Sequence, residues 1–276
     1  MAGSDDTPWI SPRWRTRLTA VAERAAPFLF GIVVLTIWEA AVRFYQLPFY
    51  LLPGPVLIGE TLYNEFGSLL PSLIFTVSIT LKAFLAAAIG GLLLGMFFAT
   101  SRWVERTLFP YAVILQVTPV VAIAPLIIIW ARNTELALLI CAWLVAFFPV
   151  VSNTAMGLNS TDRNLQDLFQ LYRASKMQKL LMLRLPSALP FYLAGLRISG
   201  GLALIGAVVA EFVAGTGGAK TGLAYRILEA GYRLQIPRMF AALTLISATG
   251  ICIFFLLSLL QSWALRHWHE SAVRDA

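Results

Sequence analysis

The chain has 276 residues, of which 59% are hydrophobic and 13% charged, against roughly 45–50% and roughly 25% in soluble globular domains. With a mean hydropathy of +0.76, this composition excludes both a soluble globular domain and a disordered chain, because disorder requires low hydrophobicity and high net charge. The net charge of +7 does not indicate nucleic acid either, since the basic residues are scattered between apolar runs and form no single stripe.

In chain order, apolar runs cover Pro27–Phe44, Leu69–Thr100, Thr107–Ala131, Leu136–Leu158, Pro186–Val213 and Met239–Leu265. Each is long enough to cross a hydrocarbon layer of roughly 30 Å as a helix, and none has the alternating polarity of a barrel strand. The predicted fold is all-α, a polytopic membrane bundle of about six transmembrane helices. It divides into a segment 1–26, a transmembrane domain 27–265 and a tail 266–276. Six crossings put both termini on one side. Thirteen Lys and Arg lie on that side, against Arg43, Arg132, Lys220, Arg226, Arg233 and Arg238 on the other. The excess of basic residues on cytoplasmic loops then places both termini and loop 159–185 in the cytoplasm, and loop 214–238 outside. Met1 to Ser11 lacks a short apolar stretch and cleavage site, so no cleaved signal peptide is expected.

Within the second run, Lys82 is the sole charge. A mid-membrane Lys costs roughly 2.5–3.5 kcal/mol on insertion scales, so it faces protein or water. It reads either as an anion-attracting group on a pathway or as a snorkelling or paired side chain, the second being favoured. Ala87, Gly91, Gly95 and Ala99 form a small-residue series for close helix packing. In the third run, Pro119 and Pro125 predict a kink. Irregular backbone at membrane depth is tolerated where it lines a cavity, which makes the third and fifth runs candidate pathway walls, with Gln116, Thr118 and Ser199 as polar lining.

Cys141 and Cys252 read as core residues, without metal-like spacing. In the fifth run, Arg197 is expected to snorkel or to bind loop carbonyls. Ala203, Ala207 and Glu211 repeat at i+4, so Glu211 either gates a pathway or pairs with a basic residue of a neighbouring helix, pairing being favoured. The stretch Ala214–Thr221 approaches a phosphate-binding loop, but both defining glycines are Ala and no strand precedes it. Nucleotide binding is not expected there. His267 and His269 with Glu270 are too few for a metal site, and no catalytic triad or dyad emerges.

The loop 159–185 carries Leu165, Leu168, Phe169 and Tyr172 at i, i+3, i+4 and i+7, which predicts an amphipathic helix. Such a helix either packs on its own bundle, lies on the membrane or docks on a partner. A turn at Arg173-Ala174-Ser175 follows, then Leu183-Arg184-Leu185-Pro186, Pro190 and Gly195-Leu196-Arg197. This order resembles the EAA loop of bacterial ABC-importer permeases, which is Glu-Ala-Ala, three residues, Gly, about nine residues, then an apolar-x-Leu-Pro ending. Asp167, Leu168 and Phe169 take the first three positions, Arg173 the Gly position, and Leu185 and Pro186 the ending. Leu52-Pro53-Gly54-Pro55, the prolines of the third run and Glu211 before a Gly-rich loop resemble the branch carrying nitrate, sulfonates and taurine.

The resemblance implies an inner-membrane permease subunit that is not an enzyme and holds no cofactor. It implies a second permease copy, a cytosolic ABC ATPase dimer gripping Asp167, Leu168, Phe169, Arg173, Ala174, Ser175, Leu185 and Pro186, and an external solute-binding protein. Lys82, Gln116, Thr118, Ser199 and Glu211 would then line the pathway of a small solute, anionic in that branch. Arg at the Gly position would be strained in a left-handed turn unless the turn changes. This departure keeps open a non-transporting partner in a heterodimer; Lys82 and Glu211 keep open an ion-coupled secondary transporter.

Overall fold

A computed structural model describes residues 13–100, 102–215 and 221–266, and these are predominantly helical with no strands among them. Helix α1 spans Arg13–Phe44 and so takes in much of the expected separate segment 1–26. Its Arg, Leu, Ala and Glu residues are strong helix formers, and they carry the helix back past the apolar run. Helix α2 runs over Pro55–Thr100, 46 residues, or about 69 Å at 1.5 Å per residue, more than twice the hydrocarbon thickness. Pro55 opens it where a missing N–H is harmless, and the Val56 N–H donates to Glu39 Oε2 of α1 at 3.1 Å. The apolar-run criterion placed this start at Leu69 because Glu60, Asn64 and Glu65 interrupt the hydropathy but not the helix.

The third run is two helices. α3 (Arg102–Val117) and α4 (Val120–Ala131) meet at an angle of 96°. Pro119 lacks a donor and disfavours helical geometry at Thr118, so the expected kink becomes a break. Among the described residues, five helical segments are long and apolar enough to cross a membrane, and the bent pair brings the number to six if it is one crossing.

Helix α5 (Thr134–Asn159) starts on Asn133, whose side chain accepts from the Glu135 and Leu136 amides. Helices α6 (Arg163–Leu171) and α7 (Lys176–Lys179) lead through a π turn at Leu180–Arg184 into α8 (Leu185–Ala214). α9 (Leu223–Tyr232) and α10 (Ile236–Leu265) complete the chain.

The core is the layer of α2, α5 and α8, with α4 against the last two. Ile79, Ala83, Ala124, Leu138, Cys141 and Ala207 meet in its main cluster. The small series of α2 faces α5 within this same chain: a Cβ on Gly91 would lie 2.6 Å from Val150 Cβ, and one on Gly95 2.6 Å from Thr154 Cβ. Such approach is what small residues at a helix interface permit. Cys141 is in the core as expected, but Cys252 lies on an exposed face of α10. The apolar run around Cys252 is membrane-facing or partner-facing surface, which hydropathy alone does not separate from core.

Candidate functional site

At the end where α2 and α5 finish, α6 stands clear of the bundle. Asp162 caps it, accepting from the Asn164 amide at 2.7 Å. None of its residues is buried. Leu165 and Leu168 are half exposed and Tyr172 is 81% exposed, so the expected apolar stripe exists and its own bundle does not cover it. Leu168, Phe169 and Tyr172 line a groove of about 260 Å³ with Ala174, Gln178 and Met182. Asp167 is on the other face of α6, in a cleft of about 990 Å³ shared with Arg106, Lys176, Lys179 and Arg184. The three leading positions of the EAA-like pattern therefore serve two surfaces.

The turn after α6 keeps the left-handed geometry. Arg173 has φ +51°, its N–H donates to Gln170 O and the Ala174 N–H to Phe169 O, both at 2.9 Å. These are the paired bonds that close a helix through a left-handed residue, a position Gly fills most easily. Ser175 then caps α7 reciprocally with Gln178. Leu185 and Pro186 lie beyond the π turn in the first turn of α8, and Leu185 packs beside Leu158 and Ala188, away from the exposed stripe. Arg184 locks this junction, donating to Leu158 O at 3.0 Å and Asn159 Oδ1 at 2.9 Å, which satisfies the C-terminal end of α5.

The expected pathway residues are scattered. Glu211, buried in α8, accepts from Thr76 Oγ1 of α2 at 2.8 Å and from the Ala224 N–H of α9 at 3.1 Å, while the Leu223 N–H donates to Thr76 Oγ1 at 2.9 Å. Its partners are thus a hydroxyl and a helix N-terminus, and the expected basic residue is not among the bonds it makes. Gly222 presses against the same carboxylate, and a Cβ there would overlap it. Lys82 pairs with Glu135 at 2.8 Å, level with the first turn of α5, so its charge is compensated near the α4–α5 connection. Ser199 is fully buried between α8 and α5, donating to Ala146 O at 2.7 Å, and it borders neither the groove nor the cleft. Gln116 is exposed, and Thr118 donates to Ile114 O at 2.8 Å beside the α3–α4 break. The Arg197 guanidinium lies 4.6 Å from the Phe254 ring centroid of α10, a cation–π contact, and among the described residues it makes no hydrogen bond to a loop carbonyl.

The phosphate-loop-like residues 216–220 and His267, His269 and Glu270 lie outside the described residues. Among the described residues, no three His, Cys, Asp or Glu side chains gather as a metal would require.

Hydropathy alone gives no sign of α9 within the loop 214–238. Leu223, Ile227 and Ala230 at i, i+4 and i+7 were the available signal, and they pack on Leu69, Ala242 and Leu245 or lie buried beside them. A polar belt surrounds this helix: Arg226 bonds Ser72 at 3.0 Å and Glu229 at 2.8 Å, Arg233 pairs with Glu229 at 2.9 Å, and Arg238 with Glu65 at 2.9 Å. The Arg226 hydrogen bond holds the Glu229 carboxyl below the usual carboxylate range, against a smaller opposing effect of burial and with help from the charges of Arg226, Arg233 and Arg238.

Residues 91–269 match the family described as "Binding-protein-dependent transport system inner membrane component". The chain is 34% identical to a Halalkalibacterium halodurans permease named for formylaminopyrimidine transport, ThiX, over 86% of this chain and 93% of the relative. It is 30% identical to a Bacillus subtilis permease named for aliphatic sulfonates transport, SsuC, over 88% of this chain and 87% of the relative. A solved chain of the MetNI methionine ABC transporter, in an inward facing conformation, superposes with a TM-score of 0.59 at 16% identity, covering 72% of this chain and 95% of that one.

Proposed function

The chain belongs to the family of inner-membrane components of binding-protein-dependent transport systems, and from that premise we propose that α6 is the element through which a separate ATPase drives it. The protein is a multi-pass membrane permease subunit of an ABC importer, and ATP hydrolysis lies in another subunit. The observation that carries the proposal is the uncovered apolar stripe of a well-capped helix at the end of the bundle. An amphipathic helix of this kind lays its apolar face into a groove of a partner. Leu168, Phe169 and Tyr172 make the contact; Ala174 and Ser175 shape its edge, the left-handed Arg173 fixes the exit of the chain, and Asp167, on the opposite face, takes no direct part in it. The π turn, Leu185 and Pro186 pass movement of α6 to α8, the helix packed most extensively on α5. Nucleotide drives the cycle because the ATPase binds two permease conformations with different affinity.

The working unit holds two permease copies, an ATPase dimer at loop 159–185 on the cytoplasmic side, and a solute-binding protein facing loop 214–238. Both termini are cytoplasmic, with α3 and α4 forming one broken crossing. The cargo is a small anion of the sulfonate, taurine or nitrate kind. Likeness to SsuC supports that class, as does Arg197, an exposed cation on the pathway helix α8. Lys82, Gln116, Thr118, Ser199 and Glu211 bound the route as supports of its walls. The left-handed turn at Arg173 supports reading the chain as a coupled subunit rather than as a non-transporting partner.

Reconstitution with the ATPase and binding protein encoded beside it tests this reading. Uptake of labelled taurine or nitrate is expected to require ATP and to ignore an imposed ion gradient. Gradient-driven uptake without ATP overturns the coupling, and uptake of a neutral pyrimidine in preference to every anion overturns the cargo class.

A further inference from the structure

The cleft beneath α6 has a composition that the coupling role does not use. It measures about 990 Å³, at the upper end of small-molecule sites at roughly 300–1,000 Å³. One wall is apolar, made by Phe98, Phe109, Met177, Leu180 and Leu183. The other is basic: Arg106 comes from α3 and Lys176 and Lys179 from α7, and none of the three forms an ion pair among the described residues. Arg184 is already committed to the end of α5, and Asp167 is the one carboxylate on the lining. Three uncommitted cations thus face a single acid beside an apolar surface. The place matters as much as the charge, because α2 and α5 end here and α3 and α8 begin, and the ends of membrane spans are where headgroups replace hydrocarbon.

We infer that this cleft binds the phosphodiester headgroup of an anionic phospholipid, with the start of an acyl chain along the exposed Phe109 and Met177 side chains, which Phe98 backs from the core. Basic pockets between membrane helices recognise such headgroups by charge and by the adjoining apolar surface. A free inorganic phosphate satisfies only the basic wall and leaves the apolar one wet. The bound lipid would bridge the α2–α3 corner to α7 and hold α6 at a fixed distance from the spans. This assignment does not depend on the ATPase reading, since the apolar stripe of α6 faces away from the cleft.

The test uses the full chain, purified in an uncharged detergent and titrated with short-chain phosphatidylglycerol or phosphatidylcholine while bound lipid is counted by native mass spectrometry. The wild-type chain is expected to prefer phosphatidylglycerol. The variant Arg106→Gln/Lys176→Gln/Lys179→Gln should bind it roughly a hundredfold more weakly, as loss of three near-surface cations implies. Arg163→Gln, on α6 but outside the cleft lining, should retain the preference. No preference in the wild type, an unchanged triple variant or an equal loss in Arg163→Gln overturns the site. Displacement of phosphatidylglycerol by an equal concentration of inorganic phosphate overturns the lipid as occupant. Photoreactive phosphatidylglycerol added to the wild-type chain in vesicles gives a reading independent of variant folding: label on residues 98–110 or 176–184 supports the cleft, and label confined to other residues refutes it.

Discussion

Thr76 and Glu211 show how two side chains can fix a loop that hydropathy leaves undefined. The Thr76 hydroxyl donates to the carboxylate and accepts from Leu223, so its loss strands a buried amide and a buried carboxylate oxygen together. Leaving such groups unsatisfied costs about 1–3 kcal/mol. Thr76→Val should therefore lower the thermal unfolding midpoint and raise hydrogen exchange at Leu223 and Ala224, and adding Glu211→Ala should cost less than the sum of the two single changes, because the side chains share one network. Arg173 makes the opposite case. A non-glycine residue in the left-handed region costs about 1–2 kcal/mol, partly offset in a comparison with Gly by that residue's greater freedom when unfolded. Arg173→Gly should slow amide exchange at Ala174 and leave the fold unchanged; faster exchange there would contradict the observed turn. Glu229 supplies a pH dependence. Its carboxyl is depressed in the folded chain, so its contribution is complete above the ordinary Glu value near 4.3 and disappears as pH falls through the lower folded value. Protection of α9 amides should fall in that acidic window, and Glu229→Gln should remove the dependence.

At the scale of elements, spacing and hydropathy made some helices legible and hid others. The stripe of α6 was readable because Leu165, Leu168, Phe169 and Tyr172 repeat at helical spacing between polar residues. The site was readable only in part, since the same helix turns Asp167 to a different surface from Leu168 and Phe169. α9 was hidden by the flanking Gly-rich stretch, and the N-terminal third of α2 by its acidic residues, because the hydropathy test measures lipid exposure rather than helix formation. The partners of Glu211 could not be read at all: they are a helix N-terminus 13 residues away and a hydroxyl 135 residues away, brought together by packing and not by a local pattern. The α2–α5 contact gives a paired test. Gly91→Ala would push a methyl into Val150, whereas Gly67→Ala, on the same helix with nothing within 4 Å, meets open space. The first should destabilise by about 1–3 kcal/mol, as overpacking does. The second should stabilise by up to about 1 kcal/mol through helix propensity. Thermal unfolding in detergent separates them, and equal effects would refute the close approach.

For the whole molecule, buried area is distributed unevenly. The apolar windows of α1 and α10 are 0% and 6% buried within the chain, against 50% for α5 and 56% for the α7–α8 segment. The core of α2, α5 and α8 is therefore self-contained, whereas α1 and α10 leave nearly all of their apolar surface exposed. α6 lies outside that core, so changes on its stripe should spare stability and strike coupling. Full burial of a Leu or Phe side chain is worth about 1.5–3 kcal/mol. Leu168→Ala/Phe169→Ala should weaken association with the ATPase by at least about a hundredfold while the unfolding midpoint of the isolated chain stays put. Cross-linking tests the central claim most directly. In a Cys252→Ser background, where the remaining Cys141 is buried, Phe169→Cys should be joined by a short bifunctional thiol reagent to the ATPase encoded beside this chain, and Ile251→Cys on exposed α10 should not. An importer that takes up solute at the expense of ATP yet yields no such product from position 169, or yields it equally from position 251, would contradict the assignment of α6 as the element the ATPase grips.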